Sequence, residues 1–530
     1  MALTKARYSM IQGAPANILD WIPSNLHAGI AGLTSTTDVH QYIQQAMDSG
    51  AGSIYFPMGK YVILAPIYFT AQVAGSNQAI NLTLIGENRT STYLWVDGAF
   101  TPSPLIDPLT GSGIISMFIN QSNNGKLSFR NLRWQGNIPG GHGIYAYENG
   151  AISQASFSGD ISDCWISLSS PNAGFFVGAM SNYVVQNCTF ESTKSCFVLV
   201  GAGIGDIEFV NNAVFIAFDS FIDASLDTQY KNFVTVDTLN VYTHYRGPLI
   251  KGVNCHNFAL SNINFQGDPD NTYASTDIGL IDFQDSDNIN LNNFTCSGTL
   301  NDVIRFNGAK IRISNGAVDS CTSVFKPYGS YTSTDLFVQN VSNVGATTAS
   351  FYDQDSSQGG NVQLDNCTFT NSAGNFWSTQ GTPSYNININ NSRFINAGYP
   401  NTDIGTRNLQ FNTSGDVIVQ NSEIGRSTTD AIANYYLLQD GSGKCDLVNV
   451  RLTDLAAPGV PEIATTSTPI KIVGNLINRY STYLSSVVPA TGTWKVGDYV
   501  KNVNPVIGNP KGWYCTVAGT PGTWVSEGNL

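Results

Sequence analysis

Charged side chains are scarce in this chain, and positive charge is the scarcer sign. They make up 12% of the 530 residues, with 25 Lys and Arg against 38 Asp and Glu, for a net charge of −13. That balance argues against nucleic acid or an anionic membrane surface as a partner. No uninterrupted apolar stretch approaches the roughly 18 residues of a membrane-spanning helix. The charges of residues 1–7 precede no apolar run, so we expect no signal peptide and synthesis in a cytosol.

The nine cysteines form no recognisable framework. Their number is odd, their positions are scattered, and no spacing matches a zinc site. Cys164, Cys188 and Cys367 each directly follow an Asn or Asp that recurs along the chain. We therefore expect buried, reduced thiols that act as small hydrophobic side chains, and we expect neither a metal site nor a cofactor.

What the sequence does contain is a repeat. One motif recurs thirteen times between residues 131 and 449, mostly at intervals near 25. It consists of a β-branched or hydrophobic run, then an Asn or Asp, then two residues, and usually a hydrophobic side chain after them. A period of this size, built of short strands and polar turns, is typical of a solenoid. The anchors are Asn131, Asp163, Asn187, Asn212, Asp237, Asn262, Asn293, Asn315, Asn340, Asn366, Asn391, Asn421 and Asn449, of which Asp237 fits least well.

The phrase predicts a parallel β-helix. Alternating apolar residues give a strand with one inward face, and the anchor turns the chain because Asn and Asp tolerate left-handed backbone geometry. One coil cannot bury its inner face alone, but coils stacked about 4.8 Å apart can. A leucine-rich repeat, the other candidate for such a period, lacks its consensus here.

The N-terminal part predicts a cap for the stack. Residues 39–47 place apolar side chains at helical spacing, Asp38 is positioned to cap that helix, and Gly50 to Gly52 end it. Residues 53–57 and 61–64 read as strands on either side of a Met58-Gly59 turn. A helix over the open end of the core hides its exposed edges, as a solenoid requires.

These motifs resemble a known family. Asp38-Val-His-Gln-Tyr-Ile-Gln-Gln-Ala46, followed by Gly52-Ser-Ile-Tyr-Phe-Pro57-Met-Gly-Lys-Tyr61, is similar to the opening of pectate-lyase-like β-helices in bacteriophage tailspikes. Residues 8–20 resemble the neck that precedes that domain, and the segments around Trp494 and Trp524 resemble a small C-terminal β module of the same proteins. The family's glycine-rich loop after the neck is replaced by residues 20–29, which we expect to change a loop only.

The resemblance implies a complete architecture and a set of partners. It implies an all-β chain with a neck (residues 1–20), a capping helix and first coils (21–126), a central single-stranded, right-handed parallel β-helix (127–478) and a C-terminal β module (479–530) for trimerisation or carbohydrate binding. It further implies a homotrimer in the phage virion, attached through the N-terminus to other tail proteins. Its partner at the cell surface would be capsular polysaccharide or lipopolysaccharide O-antigen, with no nucleic acid and no membrane insertion.

Stacked coils also predict where paired functional groups lie. Equivalent positions are about 5 Å apart on adjacent coils and about 10 Å apart on next-nearest coils, near the carboxyl separations of retaining and inverting glycosidases. Candidate groups are densest between residues 191 and 305, where Asp219 and His244 both stand seven residues after their anchors. The candidates for catalysis are Asp219, Asp223, Glu191 and His244, and those for substrate binding are Tyr242, Tyr245, Arg246, Asp268, Asp302 and Arg305.

Three functions remain open at this stage. A glycoside hydrolase would use paired carboxylates, which this chain has in plenty. A polysaccharide lyase would use His244 or Tyr242 as a base, with Arg246 neutralising a uronate. A non-catalytic receptor-binding spike would only hold the glycan. The many carboxylates and few cations favour the hydrolase, and the charge of −13 would repel an acidic capsule unless a local patch compensates.

Overall fold

The repeat folds as predicted, into stacked parallel strands. The computed structural model describes residues 14–69, 72–73, 76–77, 80–96, 100–104, 112–113, 115–120, 124–137, 141–146, 156–169, 173–178, 180–201, 204–242, 247–267, 279–298, 300–308, 310–327, 334–345, 349–353, 359–370, 377–379, 383–395, 407–411, 413–425, 435–439, 442–453, 463–465, 470–473, 482–502 and 506–530. The chain divides into two compact units, residues 1–317 and 318–530.

Helices occur only at the start of the described chain. A 3-10 turn at Ile18–Asp20 is followed by α1 (Ser24–Ala31) and α2 (His40–Asp48). The strands that follow or precede them in the first unit are β1 (Ala16–Asn17), β2 (Ser53–Phe56), β3 (Gly59–Val62), β4 (Ile67–Tyr68), β5 (Gln72–Val73), β6 (Ser76–Asn77), β7 (Ile80–Gly86), β8 (Thr92–Val96), β9 (Ser116–Asn120), β10 (Asn124–Arg130), β11 (Arg133–Asn137), β12 (His142–Ala146), β13 (Ser156–Ser162), β14 (Trp165–Ser169), β15 (Ala173–Val177), β16 (Met180–Gln186), β17 (Thr189–Leu199), β18 (Gly205–Ala224), β19 (Lys231–Val241), β20 (Pro248–Val253), β21 (Cys255–Gln266), β22 (Gly279–Ser286), β23 (Ile289–Ser297), β24 (Leu300–Gly308) and β25 (Lys310–Asp319), the last of which contains the boundary.

The first unit is a three-faced stack. One face runs β2–β7–β10–β13–β16–β18, a second β3–β8–β11–β14–β17, and a third β4–β9–β12–β15–β17, continuing through β18, β20, β22 and β24. All these pairings are parallel. Inside, aromatic rings from successive coils stack, as in Phe175 and Phe197, whose ring centroids are 4.6 Å apart. The parallel β-helix is therefore confirmed.

The second unit contains further parallel coils and a small mixed sheet. Its strands are β26 (Cys321–Pro327), β27 (Thr334–Val344), β28 (Ala349–Asp353), β29 (Gly359–Asp365), β30 (Thr368–Thr370), β31 (Trp377–Thr379), β32 (Ser384–Asn390), β33 (Arg393–Ile395), β34 (Arg407–Phe411), β35 (Val417–Gln420), β36 (Glu423–Gly425), β37 (Tyr435–Gln439), β38 (Cys445–Val448), β39 (Arg451–Thr453), β40 (Ile463–Thr465), β41 (Ile470–Val473), β42 (Thr482–Ser485), β43 (Tyr499–Asn502), β44 (Gly512–Val517) and β45 (Thr523–Ser526). The last four form the C-terminal β module, in which β42 and β43 pair parallel, whereas β43, β44 and β45 pair antiparallel.

The turns form where the anchors predict them. Eleven of the thirteen anchors have φ between 49° and 56°, in the left-handed region. At the other two, Asn212 and Asp237, the neighbouring Asn211 and Thr238 take that geometry instead. Asn212 is turned inward, where its Oδ1 accepts from the Cys188 amide and its Nδ2 donates to the Val185 carbonyl, both at 2.9 Å. Its side chain therefore satisfies backbone groups that the core would otherwise leave unpaired.

The cap also forms, with one addition. Helix α2 begins two residues after Asp38, whose Oδ1 accepts from the His40 amide at 3.1 Å, and buries Ile43 and Ala46. Gln44 holds the helix to β4 through reciprocal bonds with the backbone of Tyr68, at 2.9 and 2.7 Å. The segment expected to change a loop only contains α1, so that expectation was too narrow. Ile30 of α1 packs so closely on β3 that a Cβ on Gly59 would lie 2.5 Å from its side chain.

The cysteines are as expected. All nine are free and buried. Burial raises the pKa of the Cys255 and Cys445 thiols to about 12, so both are protonated at neutral pH. None of the helices among the described residues combines the length and apolarity needed to cross a bilayer.

Candidate active site

A column of alternating charge crosses the third face of the first unit. Strand register aligns Asp223 with Lys251, Lys251 with Asp282, and Asp282 with Arg305 on consecutive coils. The residue before each is a fully buried isoleucine, and the charged side chains of Lys251, Asp282 and Arg305 are partly exposed, whereas that of Asp223 is 5% exposed. We call these four residues the charge column.

Lys251 brings two of the predicted catalytic carboxylates together. Its Nζ lies 2.9 Å from Asp223 Oδ2 and 3.6 Å from Asp219 Oδ1, so those two oxygens are at most 6.5 Å apart. Burial alone would lower the pKa of Lys251, but the charges of Asp223 and Asp219 outweigh it and raise the pKa above its usual 10.5. Lys251 is therefore an ammonium group at neutral pH and cannot act as a base.

Asp219 and Asp223 differ in exposure and in the number of their hydrogen bonds. The Asp223 side chain is 5% exposed, and its Oδ1 accepts from the Ser225 amide at 3.0 Å and from the Ser225 hydroxyl at 2.6 Å. The Asp219 side chain is 28% exposed, and the ion pair with Lys251 is its single polar contact among the described residues. Asp219 is therefore the carboxylate of the two that a ligand can reach.

Gly247 packs closely against Asp219. It lies on the next coil, where an added Cβ would be 2.6 Å from the Asp219 carbonyl and 2.8 Å from its Oδ1. A side chain there would press on the carboxylate. Glycine therefore permits the two coils to approach each other closely at Asp219.

The column continues with a second ion pair. Arg305 Nη1 lies 3.5 Å from Asp282 Oδ2. Asp302 stands three residues earlier on the same strand; it is buried, and its carbonyl lies against Gly279 of the neighbouring coil. The two predicted substrate residues on β24 are thus integrated into the stack.

Glu191 lies elsewhere, on the second face. Its register partners are Ser167 and Ile216, and its Oε2 accepts from Trp165 Nε1 at 3.0 Å. The structure therefore joins Glu191 to an aromatic ring and places Asp219 and Asp223 beside Lys251.

Tyr242 is exposed and forms an aromatic pair. Its ring stacks on that of Phe215, with centroids 4.8 Å apart and planes 15° from parallel, and both side chains are more than 40% exposed. Flat exposed rings are suitable surfaces for the apolar faces of sugars. The other predicted residues, His244, Tyr245, Arg246 and Asp268, lie outside the described residues.

Sequence reasoning missed Lys251 and Asp282. A signal for both was present in the sequence: Phe221-Ile-Asp223, Leu249-Ile-Lys251, Leu280-Ile-Asp282 and Val303-Ile-Arg305 repeat one phrase, an apolar residue, Ile and a charge. Aligning the coils on that isoleucine would have placed the column.

Comparison with known proteins gives structural neighbours only. No family model matches the sequence, and no curated protein matches it. A tailspike mutant of E. coli bacteriophage HK620, in complex with a hexasaccharide, is similar over 87% of this chain and 81% of its own, at 12% identity and a TM-score of 0.43. The catalytic unit of an α-1,3-glucanase from Streptomyces thermodiastaticus is similar over 88% of this chain and 69% of its own, at 12% identity and a TM-score of 0.32. The A-module of a mannuronan C-5 epimerase from Azotobacter vinelandii covers 87% of this chain and 99% of its own, at 12% identity and a TM-score of 0.33.

Proposed function

We propose that this chain is a bacteriophage tailspike that binds a host surface polysaccharide, capsule or O-antigen, and cleaves it by glycoside hydrolysis. The observation that supports it is the placement of Asp219 and Asp223 around Lys251, with their nearest oxygens no more than 6.5 Å apart. Paired carboxylates at such separations perform acid–base hydrolysis of glycosidic bonds, one protonating the leaving oxygen while the other attacks or activates water.

Exposure suggests how the pair divides the work. Asp219 is the more exposed of the two, so in this proposal it contacts the glycosidic bond directly. Asp223 is the second carboxylate of the pair; it is almost enclosed and is held against Lys251. The exposed Phe215–Tyr242 stack offers a surface for a neighbouring sugar.

The proposal includes an assembly and a location. The resemblance of the chain's ends to tailspike necks and C-terminal modules implies a homotrimer in the virion, joined to other tail proteins through residues 1–20. The protein would be made in the host cytoplasm and act at the bacterial surface.

One observation favours a different function. Every member of the charge column is ion-paired within the protein, which is how a structural column in a purely binding rod would also look. A non-catalytic receptor-binding spike is therefore the second candidate.

The deciding experiment incubates the purified protein with surface glycans from candidate hosts and analyses the products. Hydrolysis adds one water per cleavage without the ultraviolet absorbance of an unsaturated uronate. We expect Asp219→Asn to slow that reaction at least about a hundredfold, the usual contribution of an acid–base group. Lys310→Met, an exposed change on another strand, serves as the control.

The other outcomes are equally clear. Products with the unsaturated chromophore and no added water would mean elimination, and Tyr242, His244 and Arg246 would become the site. Binding of a host glycan without any cleavage would leave the receptor-binding spike. Full activity in Asp219→Asn would remove this pair from the mechanism.

A further inference from the structure

Two cations on the second face, Lys60 and Arg133, have no acidic partner among the residues that the structure describes. Strand register aligns Lys60, Tyr93, Arg133 and Trp165 on four consecutive coils, with Trp95 two residues after Tyr93. We call these five residues the cation strip. All five side chains are partly exposed, because the alternating neighbours Leu94, Trp134 and Ile166 point into the core.

Aromatic rings hold both cations in place. The Arg133 guanidinium lies 3.9 Å from the centre of the Trp165 ring and 5.5 Å from that of Tyr93, and Lys60 Nζ lies 4.4 Å from the centre of Trp95. Stacking restrains a guanidinium by its faces and leaves its N–H edge for ligands. The rings therefore orient the Arg133 guanidinium without using its N–H groups.

Two acids, Glu191 and Glu87, have hydrogen-bond donors other than the two cations. Glu191 accepts from Trp165 Nε1, and Glu87 accepts from the Met58 amide at 2.8 Å. Within the described part of the chain, neither Lys60 nor Arg133 makes an ion pair or hydrogen bond, and Arg133 Nε is buried without an acceptor. In a chain with 13 excess negative charges, two such cations two coils apart form a local positive site.

We propose that the cation strip binds acidic sugar residues of a polysaccharide, with a carboxylate on the Arg133 fork. A guanidinium matches a carboxylate in planar, two-bond geometry, and Lys60 stands two rungs away, roughly 10 Å, where it meets a second acidic group. The rings of Trp95, Tyr93 and Trp165 receive the apolar faces of the sugars. The proposal deepens the function proposed above by naming its substrate class as an acidic glycan.

The test measures binding alone. Immobilised oligomers of galacturonate, of mannuronate and guluronate, and of glucuronate are each compared with their neutral methyl esters. We expect at least one acid to bind more tightly than its ester. Arg133→Met, which keeps an apolar stem between the rings, should weaken that binding about ten- to hundredfold, the range for a lost hydrogen bond to a charged group. Arg133→Lys should restore part of it, and Lys310→Met should leave it unchanged.

These measurements distinguish a structural role of Arg133 from a role in ligand binding. A merely structural Arg133 would lower the thermal unfolding midpoint in Arg133→Met while the preference for acid over ester stayed the same. Equal binding of every acid and its ester, or unchanged binding in Arg133→Met, overturns the proposal. So does a change in oligomeric state with no change in glycan preference, which would make the strip a contact between copies of the chain.

Failure here is distinguishable from failure of the proposed hydrolysis. If Asp219→Asn retains full cleavage but Arg133→Met loses the acid preference, the hydrolase site is wrong and the strip stands. If cleavage depends on Asp219 while acids and esters bind alike, the strip is wrong and the hydrolase stands.

Discussion

The charge column and the cation strip are built on the same repeat, yet they treat charge in opposite ways. In the column, each cation has a carboxylate partner, as Lys251 has Asp219 and Asp223. In the strip, Arg133 and Lys60 rest on aromatic rings and have no acid among the described residues. Removing one partner of a paired charge leaves the other uncompensated, at a cost that rises with burial, whereas cations held only by rings remain available to a ligand. The comparison predicts large stability losses in the first kind of site and small ones in the second.

Lys231 provides the strongest case of a paired cation. Its side chain is fully buried, and its Nζ donates to Asp227 Oδ1 at 2.6 Å and to the Gln229 carbonyl at 2.9 Å. Lys231→Met would remove the ammonium that Asp227 and the Gln229 carbonyl share, although the Asp227 carboxylate keeps hydrogen bonds from the amides of Gly201 and Gln229. We expect a loss of about 3 kcal/mol, the lower part of the range for a broken buried pair because Asp227 is partly exposed. Urea unfolding checks this, and a loss no larger than that of the exposed control Lys194→Met would contradict it.

Lys251 is intermediate, with 21% of its side chain exposed. Lys251→Met removes the ammonium between Asp219 and Asp223, and we expect a loss of about 1–2 kcal/mol near neutral pH, less than at Lys231 because solvent screens the site. The matched change Arg133→Met should cost less than about 1 kcal/mol, since it breaks no ion pair.

The pH dependence of the Lys251 contribution has a definite sign. Its pKa in the folded protein is raised above 10.5, so the stability it adds is complete below about pH 10.5 and is lost as pH rises through the folded pKa. Wild type and Lys251→Met should therefore converge in stability at strongly alkaline pH. A difference that stays constant across that range would mean that packing, not charge, is responsible.

The sequence predicted the coils better than it predicted their alignment. Asn and Asp anchors mark the turns because few other residues accept left-handed geometry, and even the exceptions at Asn212 and Asp237 moved by one residue. The spacing of apolar residues predicted the capping helix α2. Helix α1 was not predicted, because its residues were interpreted only as a departure from the loop of the resembling family. The turns and the capping helix could thus be predicted from local sequence patterns.

Alignment across coils was harder because the distance from turn to turn varies. The isoleucines before the charge column stand 10, 13, 19 and 11 residues after Asn212, Asp237, Asn262 and Asn293. Strands β17 and β18 also shift register three times between Phe190 and Ser195. Counting from anchors therefore brought Asp219 and Asp223 into one region but gave no sign of Lys251, and it grouped Glu191 with residues that lie on another face.

The smallest expected effect concerns Arg130 and Asp160, a paired cation that is 48% exposed. Burial alone would raise the pKa of Asp160, but hydrogen bonds from Arg130 and Ser128 outweigh it and hold the pKa below its usual 3.8. The pair therefore adds stability above about pH 3.8 that is lost as pH falls through the folded pKa. Arg130→Met should cost less than about 1 kcal/mol at pH 7, shrinking in high salt and vanishing in acid. Urea unfolding of this variant and of Asp160→Asn at pH 7 and below pH 3 checks it. A loss as large as that of Lys231→Met would show that exposure does not set the value of these pairs, and the contrast between the column and the strip would need another cause.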